Sequence, residues 1–326
     1  MVAGWEWEQG DWDNSVRFAP DDTQPPGLLT WVEDLDAYKD ERGNGAHSET
    51  TQTVTDFLNT GPRERAPVAI IEAVLAHLQV QTPVWIGSYR LQQAVTHCKL
   101  EEVKALLAQG VESDMPVRGM TPLFCAVTAK DLPIAEALFD AGVDVNRRYS
   151  GMDETILMTL ATYAPDTSWE PLAQRILAQG AELEARNRYG ETPLMIAASS
   201  GYRLPGLVGI LVAAGADVNA RSVHGYTALW KAVSYRTAPL PIVQLLIAAG
   251  ADVNACDKEG WSVLIEAISS CQVEAVRCLL EAGADVRAVT TPTQQYQVPK
   301  TVMQMALDYA DPQIIQLIRE AGGEDA

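Results

Sequence analysis

One phrase keeps returning along this chain, and it limits the possible folds more than any other feature. It reads Gly142-Val-Asp-Val-Asn, Gly180-Ala-Glu-Leu-Glu-Ala, Gly215-Ala-Asp-Val-Asn-Ala, Gly250-Ala-Asp-Val-Asn-Ala and Gly283-Ala-Asp-Val-Arg-Ala, with a weaker copy, Gly110-Val-Glu-Ser-Asp, ahead of them. Successive glycines stand 32, 38, 35, 35 and 33 residues apart. A short distance after each comes a second phrase: Thr121-Pro-Leu-Phe-Cys-Ala, Thr155-Ile-Leu-Met, Thr192-Pro-Leu-Met-Ile-Ala-Ala, Thr227-Ala-Leu-Trp-Lys-Ala, Ser262-Val-Leu-Ile-Glu-Ala and Thr301-Val-Met-Gln-Met-Ala. Tyr89-Arg-Leu-Gln-Gln-Ala fits the same register upstream. A unit this short cannot bury a core alone, so such units must stack into a solenoid.

Each phrase has a physical reading. The Thr or Ser is a helix N-cap, and Pro122 and Pro193 sit at the first helical position, where no amide donor is needed. The Leu and Ala that follow suit close helix stacking. A second amphipathic helix comes next, as in Leu204–Ala214 or Gln272–Ala282, and ends at a glycine that accepts the left-handed conformation. The Asp-Val-Asn stretch then leads into a turn around Gly190, Gly225 or Gly260, which predicts a hairpin finger.

On these residues the chain resembles the ankyrin-repeat proteins, whose period is about 33 residues. The resemblance covers about Tyr89 to Gly322, seven units with the first and last degenerate. It implies an all-α ankyrin-repeat solenoid of helix-turn-helix units with β-hairpin fingers. Three departures stand out. Asp153 replaces a finger glycine, so the finger Asn146–Glu154 is predicted to be longer and irregular. The loops Ala164–Ser168 and Tyr235–Pro241 lengthen two helix-to-helix turns. Ala288–Lys300 replaces the last finger with a bigger loop.

The chain divides into an acidic, Trp-rich region (1–65), a capping helix and linker (66–88, the helix being Pro67–Leu78), and the array with its C-terminal cap (89–326). Residues 1–60 hold 13 acidic and 3 basic residues and four of the eight tryptophans. Leu28–Tyr38 and Thr51–Leu58 read there as short helices. A disordered tail is poor in tryptophan, so this region either folds back over the first repeats or serves as an acidic, aromatic arm. The arm has two readings of its own: it meets a basic partner, or it lies in the chain's own groove as a competitor.

The formal charge is −19. Such a field repels nucleic acid and anionic membrane, and it speeds encounter with a basic protein. No basic, apolar leader opens the sequence and no apolar stretch nears about 18 residues, which predicts a cytoplasmic chain outside any membrane. Five cysteines without CxxC spacing predict reduced thiols.

No catalytic or phosphate-binding motif occurs, and none of the four histidines has a partner at metal-ligand spacing. The chain is therefore expected to be no enzyme, with no metal and no cofactor. The resemblance implies instead that another protein is bound on the concave face made by fingers and inner helices. Position by position, this assigns partner binding to Arg118, Met120, Arg148, Tyr149, Arg186, Arg188, Tyr189, Arg221, His224, Tyr226, Lys258 and Trp261 on the fingers. Trp230, Lys231 and Tyr235 on the inner helices complete the set. Across five finger windows (116–120, 146–154, 185–191, 220–226, 256–261) there are seven basic and five acidic residues, against the trend of the chain. Arg, Tyr and Trp dominate binding energetics. Yet arginines also neutralise nearby acid, and an aromatic after the finger glycine also packs on its neighbour, so both duties stay open here. A monomer is favoured. The job of such a binder is an inhibitor or immunity protein that sequesters a toxin or enzyme, an adaptor or host-directed effector bridging two proteins, or, as an outside alternative, an enzyme built on the amino-terminal region.

Overall fold

The computed structural model describes residues 6–7, 16–17, 84–116, 119–149, 151–199, 205–234, 240–290, 299–309 and 311–323. The cap Pro67–Leu78 and the short helices read at Leu28–Tyr38 and Thr51–Leu58 lie outside the described residues. Ahead of the array, Glu6–Trp7 (β1) and Val16–Arg17 (β2) form a two-stranded antiparallel ladder that the repeat phrases do not announce.

From Val84 onward, fourteen described α-helices fall into seven consecutive pairs. They are α1 (Val84–Thr96) with α2 (Leu100–Ala108), α3 (Pro122–Thr128) with α4 (Leu132–Asp140), and α5 (Ile156–Tyr163) with α6 (Glu170–Ala178). Next come α7 (Pro193–Ser199) with α8 (Pro205–Ala213), and α9 (Ala228–Val233) with α10 (Leu240–Ala248). The last are α11 (Val263–Ser269) with α12 (Val273–Glu281), and α13 (Val302–Tyr309) with α14 (Pro312–Glu320). The odd-numbered helices pack in one unbroken inner row from α1 to α13. The even-numbered ones form the outer row, packing on one another from α2 to α4 and from α6 to α14.

The second sequence phrase explains the inner row. The hydroxyls of Thr121, Thr192, Thr227, Ser262 and Thr301 accept from the amides of Phe124, Met195, Trp230, Ile265 and Gln304 at 3.1–3.4 Å. The Leu of the phrase (Leu123, Leu157, Leu194, Leu229, Leu264) is buried in five repeats, as are Leu91 in α1 and Met303 in α13. Each such burial contributes about 2 kcal/mol. The Ala that follows (Ala126, Ala197, Ala232, Ala267) is buried too and lets neighbouring inner helices approach. In α5 this place is taken by Leu160, also fully buried, and Thr155 caps nothing through its side chain. The Ala164–Ser168 insertion is pinned to the core by Trp169, at the end of a 3₁₀ turn (Thr167–Trp169).

The first phrase is a stitch between repeats. Asn146 Nδ2 donates to the Gly180 carbonyl (3.0 Å) while its Oδ1 accepts from the Glu182 amide (2.8 Å). Asn219 does the same to Gly250 and Asp252, and Asn254 to Gly283 and Asp285. Glu184, in the Asn place, keeps only the accepting half, to the Asp217 amide (2.8 Å). Arg287 stands in that place in the last copy, and Ala288–Lys300 closes instead through Thr290 and Lys300, whose backbones pair at 3.0 Å.

At the far end, Ile314 and Ile318 of α14 are buried, and Asp311 caps the helix through the Gln313 and Ile314 amides. Among the described residues no helix is long and apolar enough to cross a membrane.

Candidate partner-binding face

The fingers connect each outer helix to the next inner one, and their geometry is local. In three of them a polar residue at the base ties down the tip. Asn187 Oδ1 accepts from the amides of Tyr189 and Glu191, Ser222 Oγ from those of His224 and Tyr226, and Asp257 Oδ1 from those of Glu259 and Trp261. The same bases pair across the finger by backbone: Asn187 with Glu191, Ser222 with Tyr226, Asp257 with Trp261. Among the described residues, strand pairing along the array goes no further than isolated bridges such as Cys256 with Ser262 and Val289 with Thr301.

Adjacent fingers are then joined twice. The tip amides of Arg188, Val223 and Lys258 donate to the carbonyls of Met152, Tyr189 and His224 on the preceding finger, all at 2.9–3.0 Å. The approach is close. A Cβ on Gly225 (φ +87°) would meet the Lys258 amide nitrogen at 2.9 Å, so only glycine fits there. The second link runs the other way and uses arginine. Arg148 Nη1 donates to the Arg186 carbonyl (2.6 Å), Arg186 Nη1 to the Arg221 carbonyl (2.6 Å), and Arg221 Nη2 to the Cys256 carbonyl. Charged donors on carbonyls are among the stronger hydrogen bonds. Cys256 occupies the next arginine place, so the ladder stops at the fifth finger.

This geometry gives the sequence-assigned residues different duties. Arg148, Arg186 and Arg221 are struts between fingers, and Arg148 also reaches Asp153 and Glu182. Arg188 is exposed but folds back, donating to the Gly151 carbonyl (2.8 Å) and lying over the Tyr189 ring. Lys231, on α9, forms a half-buried ion pair with Glu191 (2.7 Å).

Tyr149 is a correction: it is buried (6% exposed) rather than at a tip. Finger two holds one more residue than its neighbours, with Asp153 in the left-handed region (φ +58°). Tyr149 therefore pairs with Glu154 at the base, the place that Asn187 and Ser222 hold elsewhere. Its ring packs on Phe124 (4.5 Å), and burial pushes its phenol up despite a hydrogen bond with Thr121.

Arg118 and Tyr235 lie outside the described residues.

Apart from Lys258, what remains outward is apolar or aromatic. Met120, Tyr189, His224 and Lys258 are exposed at tips, while Tyr226, Trp230 and Trp261 are half-buried at the groove. Tyr226 stacks on Trp230 (3.9 Å, 15°) and His224 adjoins Tyr226 (5.5 Å). Two exposed apolar tip residues stand outside the assigned set, Met152 (44%) and Val223 (45%). Val223 stands at the tip of its finger, its amide bonded to the Tyr189 carbonyl, and Met152 stands in the irregular turn of finger two. Met120, Met152, Tyr189 and Val223 thus put one large apolar side chain on each of four consecutive fingers.

Behind the tips the groove is acidic. Glu154, Glu191, Asp257 and Glu266 line it, and burial pushes up the carboxyls of Glu154 and Glu266. Glu266, half-buried, is pushed up to about 7, first by burial and then by Asp257. The Tyr226 phenol is raised by burial and by four acids around it: Asp257, Glu259, Glu266 and Glu191. Among the described residues no group of His, Cys, Asp and Glu is arranged to hold a metal ion.

The sequence matches the family described as ankyrin repeats (3 copies) over residues 68–149, 166–255 and 204–290, more than half of the chain. The chain belongs to the ankyrin-repeat family. Its members are generally protein–protein interaction modules, which makes the finger and inner-helix face the place to seek a partner. No curated protein matches the sequence at a significant level.

Proposed function

We propose that this chain is a protein-sequestering binder, an inhibitor or immunity protein that holds a toxin or enzyme against its finger and inner-helix face inside the cell. One observation carries the reading. Four consecutive fingers each expose a large apolar side chain, Met120, Met152, Tyr189 and Val223, and the three from Met152 onward stand on fingers locked together by backbone and arginine links. A pre-ordered surface loses little side-chain and backbone freedom on binding, which favours tight, slowly dissociating complexes. Free cysteines throughout the described residues suit a reducing compartment.

The alternative of an adaptor that bridges two proteins is supported by a different feature, the separate acidic, Trp-rich region ahead of the array. The experiment that divides the two is co-purification with the product of the adjacent gene, followed by an assay of that protein's activity. Stoichiometric loss of activity, with one partner per chain, supports sequestration. An active partner carrying a second protein in the same complex supports bridging and rejects the inhibitor reading.

A further inference from the structure

The finger arginines give this face a basic reading in sequence, and the structure reverses it. Arg148, Arg186 and Arg221 each point a guanidinium at the neighbouring finger's backbone, where a carbonyl receives it. The carboxylates behind them are not answered in the same way. Among Glu154, Glu191, Asp257 and Glu266, the one ion pair with a lysine or arginine of the described residues is Glu191 with Lys231. The hydroxyls of Ser234, Ser269 and Ser270 near Glu266 donate to the backbone carbonyls of Trp230, Glu266 and Ser234, and Asp257 receives the backbone amides of Glu259 and Trp261. Placing acid in a half-buried groove without a cation is costly, because desolvation opposes the charge and like charges repel.

The surroundings suit a cation that carries a long stem. Tyr226 stacks on Trp230, and Asp257 accepts the backbone amide of Trp261. Aromatic faces next to carboxylates accept lysine and arginine through both charge and ring contact. The apolar tips lead toward this spot, since Val223 follows Tyr189 by a backbone bond, and the next such bond joins Lys258 to His224.

We propose that the bound protein presents a segment bearing both apolar and basic side chains. Its apolar groups lie on Met152, Tyr189 and Val223, and a lysine or arginine seats between Glu266 and Asp257. This rests on the sequestration surface proposed above and names the chemistry of its occupant. The same charge argument works against the chain's own acidic amino-terminal region as the occupant of this groove.

The test uses the full chain at 150 mM salt, titrated with three synthetic peptides of equal length: basic with apolar residues interspersed, basic without them, and acidic with the same apolar residues. Binding is read by tryptophan fluorescence and calorimetry. The first peptide is expected to bind at least tenfold tighter than either of the others. Glu266→Gln with Asp257→Asn is expected to weaken it at least tenfold. Glu101→Gln with Glu102→Gln, which removes the same charge from an outer helix, leaves it within twofold. Equal binding of both basic peptides, or equal loss in the two charge-matched variants, means attraction by net charge alone and overturns the proposal. So does tighter binding of the acidic peptide, or absence of binding by all three. If Tyr189→Ser with Val223→Ser abolishes binding while the Glu266 and Asp257 variant does not, the apolar fingertip surface stands and the basic-partner inference falls.

Discussion

Fingers two to four and finger five use their charged residues in opposite ways. In the middle fingers an arginine precedes each base residue, and its guanidinium closes on the next finger's carbonyl. In finger five the same place is Cys256, the ladder ends, and Asp257 joins Glu266 behind the tip with no lysine or arginine of the described residues ion-paired to either. The lesson is that a residue type says little about its duty until its direction is known. The same arginines that look like binding residues in a list of positions are intramolecular struts.

The largest expected effect falls on the tips. Tyr189→Ala with Val223→Glu should weaken partner binding by more than 100-fold, since two hot-spot residues are worth about 2 kcal/mol each. The melting temperature should move little, because both side chains are exposed. Surface plasmon resonance against the co-purified partner checks this, and unchanged affinity would put the interface elsewhere.

Next come the struts. Arg186→Met should destabilise the array by about 1–2 kcal/mol, the range for a partly exposed hydrogen bond from a charged donor, while partner affinity falls far less than in the tip variant. Urea unfolding followed by circular dichroism reads the first, and the same binding assay reads the second. Gly225→Ala should cost a similar amount, about 1–2 kcal/mol, because its φ is +87° and a Cβ there meets the Lys258 amide nitrogen at 2.9 Å.

The smallest effect is a pH dependence. Glu266 has a folded-state pKa of about 7, above its ordinary value of 4.5, with burial the main cause and Asp257 the second. The folded chain therefore holds a proton that the unfolded chain has released, and stability falls as pH rises from about 4.5 through about 7. Glu266→Gln should thus raise stability at pH 8, by about 1 kcal/mol once screening of a partly exposed group is allowed for. At pH 4, where both chains are neutral there, it should change little. An equal effect at both pH values would show that the carboxyl is not the cause.

Much of the fold was legible in the sequence, for reasons visible in the coordinates. The two phrases place caps and buried Leu and Ala side chains, so repeats count themselves. The outer helices read at Leu204–Ala214 and Gln272–Ala282 differ from Pro205–Ala213 and Val273–Glu281 by one residue at each end. The face was less legible. Tyr149 and Tyr189 look alike as finger tyrosines, yet one extra residue and the left-handed Asp153 move the first to a buried base. Spacing locates Arg148, Arg186 and Arg221 correctly and says nothing of where their side chains turn. That depends on a carbonyl 35 to 38 residues away in sequence.

The claim that arginines lock the fingers together is tested most directly by hydrogen–deuterium exchange on the full chain and on Arg186→Met with Arg221→Met. The account predicts faster exchange in the fingers around 220–226 and 256–261, with the outer helices unchanged. Exchange in those fingers indistinguishable from that of the unaltered chain would contradict it.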